Sequence, residues 1–272
     1  MNPSKTEHSY SFLTFAAIQA ALSAGHLLKR GFGTSYEISS KAGQQNLVTE
    51  YDKASEKLIF KYLKKQFPDH GILSEESYPE MLEEKEVLWI IDPLDGTVNF
   101  AHTIPVFSVS IAAAIKNEVV CGVVYQPMTD ELFIAEKKKG AFLNGNRLKV
   151  SINKQFDQAM MATGFPYNVD KNPLGCIDFF AHMTGMGLPI RRLGSAAIDL
   201  AYVAAGRFDG YWEVTLHPWD MAAGKLLVEE AGGKVSRYDG SLHTLFGEQS
   251  ILATNGHLHS KIISELKSFT KT

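Results

Sequence analysis

Two carboxylates three residues apart, Asp92 and Asp95, stand in the run Trp89-Ile90-Ile91-Asp92-Pro93-Leu94-Asp95-Gly96-Thr97-Val98-Asn99-Phe100. The apolar stretch reads as a strand ending in an acid. Pro93 then bars the sheet ladder from continuing, and Gly96 permits a sharp turn that aims Asp95 back toward Asp92. Two carboxylates converging at a strand end repel each other unless a cation lies between them. Hard oxygen ligands select Mg²⁺ or Mn²⁺ over zinc. The plainer reading of this segment is an ordinary Pro/Asp/Gly turn.

Further acids lie where elements begin or end. Glu75 follows a short strand in Ser74-Glu75-Glu76-Ser77, Asp220 opens a helix in Trp219-Asp220, and Asp52 closes the segment Asn46-Leu47-Val48-Thr49-Glu50-Tyr51-Asp52. Each has a structural account when taken alone. A solvated loop suits Glu75, and helix capping suits Asp52 and Asp220.

The elements that must position these acids are legible from apolar spacing. Helices are expected over Phe12–Leu28, Asp52–Phe67, Ser195–Ala205, Pro218–Ala231 and His259–Phe269. Short strands are expected at Leu47–Thr49, Ile72–Ser74 and Val87–Asp92. A meander follows at Phe107–Ile115, Val119–Tyr125, Glu131–Ala135 and Ala141–Leu143, with a hairpin signal at Asn144-Gly145. Past about Ser151 strands and helices alternate, with strands at Met160–Thr163, Ile190–Leu193, Gly210–Glu213 and Ile251–Thr254. The expected fold class is α+β, an antiparallel-rich half (1–150) followed by an α/β half (151–272), packed as one unit.

Bulk composition narrows the partners. The chain has 272 residues, 45% of them hydrophobic, enough for a large core without disulfide staples. Lys+Arg 27 against Asp+Glu 30 leaves a net charge of −3 with no basic block, so a nucleic-acid surface is not expected. Cys121 and Cys176 have no neighbour at metal-ligand spacing and read as reduced core residues of a cytoplasmic protein. The Phe12–Leu28 stretch is broken by Thr14, Gln19, Ser23 and His26, which favours an amphipathic core helix over a signal segment, and no run approaches the length of a membrane span.

Taken together, these segments resemble the inositol monophosphatase family of metal-dependent phosphatases. The resemblance runs from Asn46–Asp52 through Glu75-Glu76-Ser77 and the D-P-x-D-G-T form at Asp92 to Gly194-Ser195-Ala196 and Trp219-Asp220. It implies a layered α-β-α-β-α sandwich and two or three Mg²⁺ ions per site, with Mn²⁺ as a substitute. Glu75, Asp92 and the Leu94 carbonyl would hold one ion, and Asp92, Asp95 and Asp220 another. Thr97, oriented by Asp52, would help activate the attacking water, and the Gly96 and Thr97 N–H groups would grip the phosphate. In the second half Glu213 and the Gly194, Ser195 and Ala196 backbone would meet the hydroxyls of a small phosphorylated polyol, inositol 1-phosphate first. Lithium sensitivity and a homodimer are also implied. Asn46 stands where many relatives carry Asp.

Within the same superfamily the alternatives are phosphatases of fructose 1,6-bisphosphate, histidinol phosphate or adenosine 3′,5′-bisphosphate. Arg191 and Arg192 line the site entrance or pair with surface acids, the second being favoured; His102 and His217 read as solvated or packing residues, and Tyr202 and Trp212 as core or rim aromatics. A different class is a regulatory binding module of the transcription machinery. A rival mechanism is that of the haloacid-dehalogenase type, whose D-x-D-G-T acids lie two apart, the first a nucleophile. Here the acids lie three apart with Pro93 between, which points to attack by water. Mass spectrometry of protein quenched during turnover is expected to find no phosphate on Asp92; a trapped acyl phosphate there would overturn that mechanism.

Overall fold

The computed structural model describes residues 5–35, 38–40, 47–77, 85–247 and 249–269, so Asn46 lies outside the described residues. In chain order, α1 (Lys5–Gly31) precedes β1 (Ile38–Ser40), β2 (Leu47–Thr49) and α2 (Glu50–Gln66). Strands β3 (Gly71–Ser74) and β4 (Val87–Asp95) lead to the short helix α3 (Thr97–Ala101). The meander is β5 (Ser108–Ile115), β6 (Glu118–Gln126), β7 (Glu131–Glu136), β8 (Gly140–Leu143) and β9 (Asn146–Arg147). Next come β10 (Met161–Thr163), α4 (Cys176–Gly185), β11 (Ile190–Arg191), α5 (Ala196–Ala204) and β12 (Gly210–Glu213). The chain closes with α6 (Pro218–Glu230), β13 (Lys234–Ser236), β14 (Ile251–Thr254) and α7 (His259–Leu266).

Strands β3 to β9 form a seven-stranded sheet in chain order, and a five-stranded sheet runs β11-β10-β12-β14-β13. The first is antiparallel except for the parallel β3–β4 pair. In the second, β11, β10 and β12 are parallel, while β14 is antiparallel to both of its neighbours.

Side-chain alternation along the strands sorts the core into layers. Trp89 and Ile91 of β4 pack toward α1 and α2, whereas Leu88 and Ile90 pack toward α5 and α6. On β12, Tyr211 faces α5 and α6 while Trp212 joins Phe179 and Met183 of α4 and Ile262 of α7. The result is the expected α-β-α-β-α order, with α5 and α6 between the two sheets.

The structure also corrects the expectations. Strand β4 does not stop at Pro93 but runs to Asp95. Its pairing with β5 slips between Asp92↔Ser110 and Asp95↔Ser108, and Pro93 sits in that irregularity, where no ladder N–H is needed. Helix α1 contains a span-length stretch, Phe12–Gly31, with mean hydropathy 1.2, contrary to the length expectation. Its Leu13, Ala17, Ala20, Ala24 and Leu28 are buried in the core shared with α2 and the first sheet. Helix α4 and strands β1 and β13 were not expected. Strands β1 and β13 span only three residues each, too few for a period to be read.

Helix α6 is the element that brings Asp220 to the first sheet, and its approach depends on small residues. A Cβ on Gly122 of β6 would lie 2.8 Å from the Ala223 Cα and 2.9 Å from its carbonyl oxygen. Gly122→Val is expected to force α6 off the sheet, costing about 2 kcal/mol by overpacking. A urea midpoint that does not fall, or catalytic activity unaffected by the change, would contradict this account of α6.

Candidate active site

Capping requirements place the outer acids. Thr49 ends β2 and caps α2: its hydroxyl accepts from the Tyr51 N–H, while the Asp52 carboxylate accepts the Thr49 N–H at 2.7 Å and its hydroxyl at 2.6 Å. Helix α2 therefore begins two residues before the expected start, which makes Asp52 its third helical residue and closes a capping box. Both bonds use Asp52 Oδ2, and Oδ1 accepts the Thr97 hydroxyl at 2.7 Å. Burial raises the Asp52 carboxyl pKa, against the pull of the Thr49 and Thr97 bonds.

Asp220 follows the same rule on α6. Pro218 occupies the first turn, and Asp220 Oδ2 accepts the His217 N–H at 2.6 Å. Asp95 sits at the opening of α5, where Oδ2 accepts the Ser195 hydroxyl at 2.5 Å, the Ala197 N–H at 2.9 Å and the Ser108 hydroxyl at 3.4 Å. Asp92 Oδ1 accepts the Leu94 N–H at 3.0 Å, and the Ser55 hydroxyl pins the Pro93 carbonyl at 2.7 Å. The turn bearing Glu75 is tied to α2 through the Ser77 hydroxyl, which donates to Glu56 at 2.6 Å.

The two halves of the chain meet at a pair of left-handed glycines. Gly96 has φ 96° and Gly194 φ 82°. A Cβ on Gly96 would lie 3.0 Å from the Val106 carbonyl and 3.3 Å from that of Gly194. Asn99 bridges the seam, donating to the Val106 carbonyl at 2.7 Å and the Leu193 carbonyl at 2.8 Å.

These contacts gather the acids named from the sequence into one cleft. Asp92 and Asp95 are buried, while Glu75, Thr97, Ala196 and Asp220 are half-buried and Gly194 is exposed. Burial drives the Asp92 carboxyl well above the ordinary carboxylate range, with Glu75, Asp95 and Asp220 adding negative charge. Burial raises Asp220 likewise, Glu75 being the strongest neighbouring charge. Asp95 is pushed up to about 6 by burial, opposed by its Ser195 and Ala197 donors.

The donor set fits hard divalent cations. Asp92, Asp95 and Asp220 each commit one oxygen to the protein, and the second oxygen of each accepts no hydrogen bond among the described residues. Concentrated negative charge with spare carboxylate oxygens suits Mg²⁺ or Mn²⁺. Among the described residues no three His, Cys, Asp or Glu side chains already converge at ligating distance, so the fit rests on charge and donor type.

Glu213, at the end of β12, is buried. Its Oε2 accepts the Tyr211 hydroxyl, and burial raises its pKa to about 7. Among the described residues neither Arg191 nor Arg192 forms an ion pair, contrary to the favoured expectation. Arg192 instead lies 5.4 Å from the centre of the Phe165 ring. His217 stacks on Trp219 at 4.6 Å, and Trp212 is in the core. Sequence reasoning gave no role to Ser55, Ser108, Asn99 or Tyr211, whose hydroxyl and amide types carry no spacing signal, although Asn99 stood inside the acid-bearing run and Tyr211 inside the Gly210–Glu213 strand.

The chain as a whole has known relatives. The model of the inositol monophosphatase family matches residues 9–271. The chain is 42% identical over 252 residues to "Nus factor SuhB" of Escherichia coli, covering 92% of this chain and 94% of that protein. It is 44% identical over 250 residues to "Inositol-1-monophosphatase" of Synechocystis, covering 92% and 87% respectively. The crystal structure of extragenic suppressor protein suhB from Bartonella henselae superposes with a TM-score of 0.87 at 42% identity, over 94% of this chain and 98% of that one.

Linkage sets a pH test of the acid cluster. Asp95 and Glu213 bind protons more tightly when folded than the ordinary 3.8 and 4.5, so stability falls as pH rises from those values through about 6 and about 7. His243 and His259, pushed down to about 4 by burial, give the opposite slope below pH 6.5, so the cluster is read through its cation. Millimolar Mg²⁺ added to EDTA-stripped protein is expected to raise the melting temperature by several degrees near pH 8 and to do little near pH 5. An equal rise at both pH values, or none at either, would contradict the charge-cluster account.

Proposed function

The chain belongs to the inositol monophosphatase family, and we propose that it hydrolyses the phosphate monoester of a small polyol, inositol 1-phosphate first, using Mg²⁺. The observation that carries this reading is the single-oxygen anchoring of Asp92, Asp95 and Asp220. Each acid is held rigidly and still keeps a ligand to offer. Glu75, Asp92 and the Leu94 carbonyl would hold one cation, and Asp92, Asp95 and Asp220 a second; Mn²⁺ fits the same donors. When bound, such cations supply charge stabilisation at the phosphoryl group and lower the pKa of a bound water.

The chain's own groups then manage the proton. Thr97 Oγ1 lies 2.7 Å from Asp52 Oδ1 and 3.0 Å from the Leu94 carbonyl, but it has one proton to give. Donation to Asp52 frees the Leu94 carbonyl for a cation and leaves Thr97 Oγ1 as an acceptor for a water proton. As Thr97 takes that proton, its own passes to Asp52, whose raised pKa suits it to receive one. The N–H groups of Gly96 and Thr97 would receive the phosphate oxygens. Glu213 Oε1 has no protein donor among the described residues, which fits it to accept a hydroxyl of the leaving group. The exposed Gly194 and half-buried Ala196 stand at the rim, while the Ser195 side chain is already committed to Asp95.

A phosphate-release panel tests the reading. Inositol 1-phosphate is expected to outrun fructose 1,6-bisphosphate, histidinol phosphate and adenosine 3′,5′-bisphosphate in Mg²⁺, and Li⁺ to inhibit. Asp95→Asn should lower kcat by about 100-fold or more while the protein still folds. No release from any ester, or full turnover by Asp95→Asn, would sink the proposal. The likeness to the Nus factor SuhB of Escherichia coli supports a second reading, a non-catalytic regulatory role beside turnover.

A further inference from the structure

Helix α2 carries an acid on its core-facing stripe. Its buried residues are Asp52, Ser55, Glu56, Ile59 and Leu63, and the last two belong to the apolar layer shared with α1 and the first sheet. A leucine at position 56 would continue that stripe. Glutamate there is only 7% exposed and bears the cost of desolvating a carboxyl. Its Oε1 is buried with no hydrogen-bond partner among the described residues. Its Oε2 accepts the hydroxyl of Ser77, an exposed residue, at 2.6 Å. A buried acid whose second oxygen stays unpaired is a poor way to stabilise a fold.

The bond matters for where it ends. Residues 75–77 leave β3, whose last residue Ser74 pairs with Ile91 of β4. The Glu75 N–H donates to the Ile91 carbonyl at 3.2 Å, which fixes the near side of the turn to the strand that carries Asp92. The Ser77 hydroxyl fixes the far side to α2. Glu75 stands between these two anchors. The same stretch of α2 holds other parts of the cleft. Asp52, one turn before Glu56, accepts the Thr97 hydroxyl at 2.7 Å, and Ser55 donates to the Pro93 carbonyl at 2.7 Å. One helix is thus the frame for both the Asp92–Thr97 segment and the Glu75 turn, and Glu56 is the contact that ties the turn to it.

We propose that Glu56 is a positioning residue for the cation that Glu75 takes: through Ser77 it holds the turn so that the Glu75 carboxylate faces Asp92. The inference rests on the Mg²⁺ reading of this site and deepens it. Asp95 takes its bonds from Ser195 and Ala197, and Asp220 from His217, so a loosened turn leaves both in place. Loss of the Glu56–Ser77 bond therefore weakens one cation and spares the other. Partners that orient a ligand from behind commonly set metal affinity by about tenfold or more.

The test is Mn²⁺ binding to metal-free protein without substrate, followed by the EPR signal of free Mn²⁺. Wild type is compared with Glu56→Leu, Ser77→Ala and Glu56→Gln, and Glu56→Leu is repeated in a Glu75→Gln background. Glu56→Leu and Ser77→Ala are each expected to raise the dissociation constant of one Mn²⁺ by about tenfold. Glutamine keeps an oxygen for Ser77 and should stay within about threefold of wild type. Where Glu75 is already an amide, Glu56→Leu should change binding of the remaining Mn²⁺ by less than about twofold, because nothing is left to position. Unchanged affinity in Ser77→Ala would overturn the inference. So would failure of glutamine to keep the affinity, or an equal loss from Glu56→Leu with and without Glu75→Gln, which is the mark of general loosening. Wild-type protein that takes up no Mn²⁺ would instead sink the cation reading, and this inference with it.

Discussion

Everything in this structure answers to one electrostatic problem, the gathering of Asp92, Asp95, Asp220 and Glu75 in a cleft that excludes much of the water. Like charges in such a place repel, and burial raises the cost of ionising them. Among the described residues no lysine or arginine pairs with Asp92, Asp95 or Asp220. The scaffold gives each aspartate one backbone or hydroxyl donor set: Leu94 for Asp92, Ser195 and Ala197 for Asp95, His217 for Asp220. That is enough to fix direction and too little to neutralise charge. The remaining deficit is the physical basis for cation binding.

Fixing direction needs elements from across the chain. Asp92 and Asp95 arrive on β4, Asp220 on α6 and Asp52 on α2, and each arrival depends on a close approach. Gly122 lets α6 lie on β6, and Gly224 lets α6 lie against Leu200 of α5. The Gly96–Gly194 contact and Asn99 then join the motif loop to the turn before α5. The layered order is thus more than a way to bury apolar faces. It sets the N-terminal ends of α5 and α6 beside the irregular end of β4, where their N–H groups meet carboxylates.

Much of this was legible from residue order, and the failures have physical causes. The acid pair at Asp92 and Asp95, the glycine turn and the apolar periods of α2, α5 and α6 were all readable. Pro93 misled because proline is usually a strand terminator; a slip in register allowed the strand to pass through it. Strands β1 and β13 were too short to show a period. Ser55, Ser108 and Tyr211 matter only through partners distant in sequence, or through which face of a strand they occupy. Glu213 was named through the family resemblance, and its burial shows only in the fold.

The capping role and the ligand role of an acid looked like rival explanations when only the sequence was in view. For Asp52 and Asp220 one geometry accommodates a cap and a second role together, because a carboxylate has two oxygens. One oxygen satisfies the helix start, which rotates the group into a single orientation; the other is then aimed by that bond. Asp52 shows the arrangement most fully, with Oδ2 spent on Thr49 and Oδ1 presented to Thr97. A capping acid is therefore already a preorganised acceptor, at no extra cost in side-chain entropy beyond that of the cap itself. A site assembled from helix starts gains its rigidity from bonds the helices need in any case. It follows that substituting such an acid by asparagine removes charge while keeping an oxygen for the cap, which separates the two roles that the sequence alone leaves superimposed.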